Sequence, residues 1–148
     1  MRVLAFDPGT RNLGWAVLEV ETQCVVACGL HDMGVEPTLD AVAFECSLFV
    51  AHLRALWYPD AVYVERQMRD KMIAVAQSLM TAALCQGVPA TIIHPATWMR
   101  RMGVRPMGSH SANKRRNLHL VQEDLGYNVD GDHNIADAVL IALSYGRQ

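Results

Sequence analysis

Short apolar runs alternate with longer amphipathic stretches along this chain, and the alternation predicts its elements in order. Residues 3–6, 14–20 and 24–30 are rich in Val, Leu, Ala and Cys and are joined by tight connections, which predicts three short antiparallel strands in a meander. Thr38 or Asp40 then caps a helix running to about Trp57, with Val42, Leu48, Val50, Leu53 and Leu56 along its apolar stripe, and Pro59 stops it. The segment Ala61–Glu65 is apolar except at its end, as a buried strand should be. A helix from about Asp70 to Gln86 and a fifth strand, Ala90–Ile93, follow. Beyond them the pattern predicts a short helix Ala96–Met102, a glycine-containing loop Gly103–Ser111, a helix Ala112–Leu125 and a last helix, N-capped by Asp132, reaching about Tyr145. A meander followed by alternating helices and strands implies an α/β fold, a five-stranded mixed sheet flanked by helices.

Length and composition narrow this picture. A chain of 148 residues, 51% of them hydrophobic, is the size of one domain spanning residues 1–148 and can bury a core without staples. Cys24, Cys28, Cys46 and Cys85 lack CxxC or Cys/His clustering and read as reduced, buried thiols; Cys24 and Cys28, four apart on a strand, are expected to point the same way. No secretory leader opens the chain and no apolar run reaches the roughly 20 residues of a membrane span, so a soluble, intracellular protein without a membrane partner is expected. The net charge of −2 argues against a generally basic nucleic-acid binder. Its distribution matters more: from His94 to His119 the chain carries Arg100, Arg101, Arg105, Lys114, Arg115 and Arg116 and no acid, a phosphate-ready face.

Against that basic half stand three acids on regular elements. Asp7 ends the first strand, Glu65 ends the fourth, and Asp137 lies within the last helix. A sheet with that helix packed across it could bring all three to one edge. Such a group suits hard divalent cations, Mg²⁺ or Mn²⁺, and two ions about 4 Å apart can activate a water and stabilise the leaving oxygen of a phosphodiester. Each acid alone reads more readily as a cap or a surface charge than as a ligand.

The stretch DPGTRNLGWAV resembles the opening motif of the RuvC-type Holliday-junction resolvases, which belong to the ribonuclease-H-like nuclease superfamily. The run Val62–Gln67, VYVERQ, is similar to the second motif, and its Glu-Arg-Gln form is similar to the viral and fungal mitochondrial branch. Gly108–Lys114 resembles the Gly-x-x-Ser-Ala-x-Lys segment, and Asn134–Ala138 the closing Asp-x-Ala-Asp-Ala helix motif. These landmarks lie between residues 3 and 143 in the family's order. The resemblance implies a ribonuclease-H-like fold, Asp7, Glu65 and Asp137 as ligands of two catalytic metal ions, and Lys114 as a catalytic contact to the backbone near the scissile phosphate. It also implies a homodimer that nicks symmetry-related strands of a four-way DNA junction and leaves 5′-phosphate and 3′-hydroxyl ends. The departure is Asn134, where the family usually supplies a fourth acid. Asn134 and His133 lie three and four residues before Asp137 and share its helical face, whereas Asp132 is turned away; Asn134 is the favoured fourth ligand.

Arg66, Arg69 and Lys71 follow Glu65 and, with Lys114, Arg115 and Arg116, are expected to border a DNA groove. The helix after Asp70 has an apolar stripe broader than one core contact requires, which suits a twofold dimer. Met68, Trp57 and Tyr58 read as core or interface packing. His110 lies in the basic loop; His31, His52, His94 and His119 have no clustered partners and read as incidental. Competing functions are an RNA-processing nuclease that shares the Asp-x-Gly hairpin, an ATP-binding protein with a similar hairpin, and a branched-DNA-binding protein without catalysis. The ATPases need a second lobe that this chain is too short to supply.

Overall fold

A computed structural model describes residues 1–35 and 37–147. Strands β1 (Arg2–Asp7), β2 (Asn12–Glu19) and β3 (Cys24–Asp32) form the meander; helix α1 (Leu39–Trp57), strand β4 (Ala61–Glu65), helix α2 (Asp70–Cys85) and strand β5 (Ala90–Ile93) follow. Helices α3 (Pro95–Arg101), α4 (His110–His119) and α5 (His133–Leu143) complete the chain. The sheet order is β3-β2-β1-β4-β5, with β1 antiparallel to β2 and parallel to β4, and β4 parallel to β5. The α/β, five-stranded mixed sheet read from the sequence is the one observed.

The two-residue period of the strands sorts their side chains into two layers. Leu4 and Phe6 of β1 and Val62 and Val64 of β4 face α1 and α2, where they pack with Val50, Leu53, Val75 and Leu79. Val3 and Ala5 face the other way, toward Trp98 of α3 and Val139, Leu140 and Ile141 of α5, with Ala61 and Tyr63 beside them. Each large apolar side chain buried in these layers contributes about 1.5–3 kcal/mol. By the same parity Asp7 and Glu65, the next outward steps on β1 and β4, belong to the α5 face. The core thus fixes on which side of the sheet both acids emerge.

Helix α5 lies unusually close to β2. A Cβ built on Gly14 would stand 2.2 Å from the backbone oxygen of Asn134, so only a glycine lets the helix start sit there. Gly14 pairs with Asp7 across β1 and β2, and this close approach brings the first turns of α5 over the end of β1. Asp132 caps the helix as expected, its Oδ1 accepting from the backbone N–H groups of Asn134 (2.8 Å) and Ile135 (3.1 Å).

Several sequence expectations need correction. Of the four free cysteines only Cys46 is buried; Cys24 and Cys85 are exposed and Cys28 is half-buried. Burial pushes the Cys46 thiol up to about 12, which keeps it an inert packing group. Cys24 and Cys28 do not share a face, because the register shifts opposite Val17 and Leu18 and leaves Val26 as a bulge; Val25 and Cys28, three apart, both meet the α5 layer. The helix expected over Ala112–Leu125 starts at His110 and changes after His119 to a wider turn of π-helix, Leu120–Asp124, closed by the Leu125 N–H on the Leu120 carbonyl. Met68 and Tyr58 are exposed and so lie outside the core, which leaves only the interface part of their reading, while Trp57 packs against the α1 layer. His94 is not incidental: its Nδ1 caps α3 by accepting from the Ala96 N–H at 3.1 Å. His31 stacks on Phe49 with ring centroids 4.0 Å apart. On α2, Val75, Leu79 and Ala83 are buried whereas Ile73 and Leu84 stay exposed, so its stripe does exceed what the core uses. Among the described residues no helix is long and apolar enough to cross a membrane.

Candidate functional site

Asp7 ends β1, Glu65 ends β4 one residue beyond the Phe6–Val64 pairing, and Asp137 projects from the second turn of α5 toward them. Asp7 and Asp137 are only 5% and 4% exposed, which decides their chemistry: carboxylates this buried must be neutralised or protonated. Lys114 of α4 supplies one positive charge. Its Nζ donates to Asp137 Oδ2 and stands 3.7 Å from Asp7 Oδ2. Three carboxylates against one ammonium leave negative charge uncompensated in a desolvated site.

The titration behaviour follows from that imbalance. Burial pushes the Asp7 carboxyl well above the usual carboxylate range, and repulsion from Glu65 and Asp137 adds to it against the pull of Lys114. Burial also raises Glu65, partly offset by the hydrogen bond from Trp98. For Lys114, burial alone would lower the pKa, but Asp7, Asp137 and Glu65 together outweigh it and the ammonium is held more firmly. A carboxyl raised above its unfolded value keeps more protons in the folded state, so stability falls as pH rises from the ordinary carboxylate range toward the raised value. The raised lysine acts in the same direction but in a higher window, its stabilisation being complete at neutral pH and lost only above about pH 10. The metal-free protein is therefore expected to melt lower at neutral than at mildly acidic pH, and Asp7→Asn to flatten that dependence; thermal denaturation in a chelator across pH 4–8 checks it.

Side chains to which the sequence pattern assigns no role hold two of the acids in place. Asn117, buried at 4% exposure, donates from Nδ2 to Asp137 Oδ1 at 2.7 Å. Its own oxygen accepts from Arg116 Nε (3.1 Å) and Nη2 (2.7 Å), while Arg116 Nη1 donates to the Arg105 carbonyl. Arg116, expected as a DNA contact, thus spends most of its donors inside the protein. Trp98 Nε1 donates to Glu65 Oε1 at 2.7 Å and Gln67 Nε2 to Glu65 Oε2 at 3.1 Å. Buried amides and indoles need partners, and that requirement is the signal that could have found Asn117 and Trp98.

The remaining candidates lie around this cluster. Asn134 is half-buried on α5, one turn before Asp137, and His133 is exposed. Asp132 Oδ1 is committed to capping the helix. Arg66 and Arg69 are exposed between β4 and α2, and Arg115 is exposed on α4. His110 begins α4 and is exposed.

Among the described residues, no three acidic, histidine or cysteine side chains stand at the spacing of a closed ion site. The positive charge between Asp7 and Asp137 is the Lys114 ammonium. Hard oxygen donors, deep burial and excess negative charge all fit a divalent cation.

The sheet thus carries acids at the ends of two adjacent parallel strands, faced by an acid from the helix packed over them. The chain is 33% identical over 162 residues to the crossover junction endodeoxyribonuclease RuvC of Gloeobacter violaceus, covering 97% of this chain and 87% of that one. It belongs to the RuvC family of crossover junction endodeoxyribonucleases. The RuvC of Dehalococcoides mccartyi is 26% identical over 159 residues, covering 100% and 92% of the two chains. Among solved structures, Thermus thermophilus RuvC in complex with a Holliday junction substrate superposes with a TM-score of 0.75 at 21% identity, over 98% of this chain and 92% of that one. The yeast mitochondrial Holliday junction resolvase Ydc2 shares the fold at a TM-score of 0.60 and 14% identity, over 98% and 78%. No protein-family model matches the sequence.

Proposed function

We propose that this chain is a Holliday-junction-resolving endodeoxyribonuclease that nicks symmetry-related strands of a four-way DNA junction by metal-dependent hydrolysis. The observation that carries the reading is the Lys114 ammonium between Asp7 and Asp137 with Glu65 beside Asp7, in a chain of this family. Asp7, Glu65 and Asp137, with the neutral oxygen of Asn134, would hold two Mg²⁺ ions, for which Mn²⁺ substitutes. When bound, such ions supply Lewis-acid activation of the attacking water and charge stabilisation at the leaving 3′ oxygen.

The chain's own residues do the rest. Asp7, which lies beside Glu65 and shares Lys114 with Asp137, would contribute to both ligand positions. Lys114, whose ammonium lies against Asp7 and Asp137, would supply positive charge near the phosphate, where negative charge builds in the transition state. Arg66, Arg69 and Arg115, all exposed, bind backbone phosphates, whereas Arg116 acts through Asn117 on Asp137. The products are 5′-phosphate and 3′-hydroxyl ends. A homodimer of this single domain would present one such centre to each of two equivalent strands; the exposed Phe44 and Leu48 on α1 and Ile73 and Leu84 on α2 support an interface of that kind.

The test is incubation with labelled four-way junction, linear duplex and structured RNA in Mg²⁺ or chelator. Paired nicks confined to the junction support the reading, and preferential RNA cleavage favours the RNA-processing alternative. Asn134→Asp is expected to raise Mg²⁺-dependent cleavage and to lower the Mg²⁺ concentration giving half-maximal rate. Unchanged or lower activity in that variant removes position 134 from the ligand set.

A further inference from the structure

Glu65 differs from its two partners in what touches it. Asp137 meets an ammonium and Asp7 stands close to it, whereas both Glu65 oxygens accept from uncharged donors, the Trp98 indole at 2.7 Å and the Gln67 amide at 3.1 Å. Uncharged donors aim a carboxylate without cancelling the negative charge that a cation needs. Each takes one acceptor direction on its oxygen, and the Asp7 carboxyl lies within hydrogen-bond reach of the same carboxylate.

The indole is firmly anchored. Trp98 is 3% exposed in the layer formed with Ile93, Val121 and α5. Its helix is short but well started, with Pro95 in the first turn and His94 as its cap. Gln67 holds the second oxygen from the segment directly after β4, so the carboxylate is gripped from two independent parts of the chain. A ring placed for packing alone has no need to point its N–H at an acid 33 residues away.

We infer that Trp98, with Gln67 as its counterpart, is a positioning residue for cleavage: the two donors fix the rotation of the Glu65 carboxylate so that its remaining acceptor directions face Asp7 and Asp137. The inference rests on Glu65 being a metal ligand. Outer partners of metal ligands set affinity by about 10–100-fold, and that is the scale expected here.

The experiment measures Mn²⁺ binding to the full chain by calorimetry, the Mg²⁺ concentration for half-maximal junction cleavage, and metal-free junction affinity, for Trp98→Phe, Gln67→Leu and Glu65→Gln. Phenylalanine keeps most of the buried ring but no N–H. Trp98→Phe is expected to weaken Mn²⁺ binding about tenfold and to raise the Mg²⁺ requirement in parallel, with junction affinity unchanged; Gln67→Leu should shift both the same way by a smaller factor. If Glu65→Gln loses metal binding and cleavage while Trp98→Phe and Gln67→Leu keep wild-type metal affinity, the indole only packs and this inference fails. If Glu65→Gln itself keeps both, the ligand assignment fails. Because Gln67 is half-buried outside the core, Gln67→Leu decides between these outcomes even if Trp98→Phe does not fold.

Discussion

Asp7→Asn is expected to fold and to bind a four-way junction while losing cleavage by well over the ~10–100-fold that removal of an outer partner costs. Asp7 is buried at the end of β1, repelled by Glu65 and Asp137, and only partly relieved by Lys114. Folding gains nothing from three acids in that position, so their benefit lies in what they hold. The isosteric amide removes the charge without opening a cavity. It should therefore stabilise the metal-free protein, with each kcal/mol gained appearing as about 2–4 °C in melting temperature at this chain length. Activity falling while stability rises is the pattern of a functional site kept against the interest of the fold. Junction cleavage, gel-shift affinity in chelator and thermal denaturation check the three parts; a variant that still cleaves within tenfold of wild type refutes the role given to Asp7.

The second large effect is expected at Lys114. Its ammonium bridges Asp7 and Asp137 and, in the proposed mechanism, acts at the phosphate during cleavage, so Lys114→Met should lose about 10²–10³-fold in rate, the scale of removing one preorganised donor from a transition state. Metal affinity should move the other way. With no ammonium to displace, Mn²⁺ should bind at least as tightly to Lys114→Met as to wild type, even though the enzyme is nearly inactive. Calorimetry beside single-turnover cleavage separates the two quantities. Weaker Mn²⁺ binding would mean that the lysine supports the site rather than competing for it.

Strand parity makes the site legible in the sequence. Asp7 follows Val3 and Ala5 at two-residue steps and Glu65 follows Ala61 and Tyr63, so both acids have to emerge on one face once the apolar pattern has assigned the strands. Asp132 as a cap and Asp137 five residues further along complete the geometry. What stays hidden depends on how distant helices dock. Trp98 meets Glu65 across 33 residues and Asn117 meets Asp137 across 20, and neither distance leaves a local pattern. The role of Arg116 is obscured for the same reason: a basic residue in a basic run gives no sign that its guanidinium turns inward onto Asn117. The bulge at Val26 and the π turn after His119 escape because the apolar run Val25–Ala27 has no polar alternation to reveal a shift of phase, and one wider turn leaves the helical stretch looking continuous.

Asp7, Glu65 and Asp137 must act as one divalent-cation centre if this chain is to cleave DNA as proposed, and crystals soaked in Mn²⁺ test that most directly through the ion's anomalous scattering. The expected result is a peak between the carboxylates of Asp7 and Asp137, within reach of Glu65, with the Lys114 ammonium displaced from Asp137. A map at saturating Mn²⁺ with Lys114 still bridging the two aspartates and no peak among the three acids would contradict it.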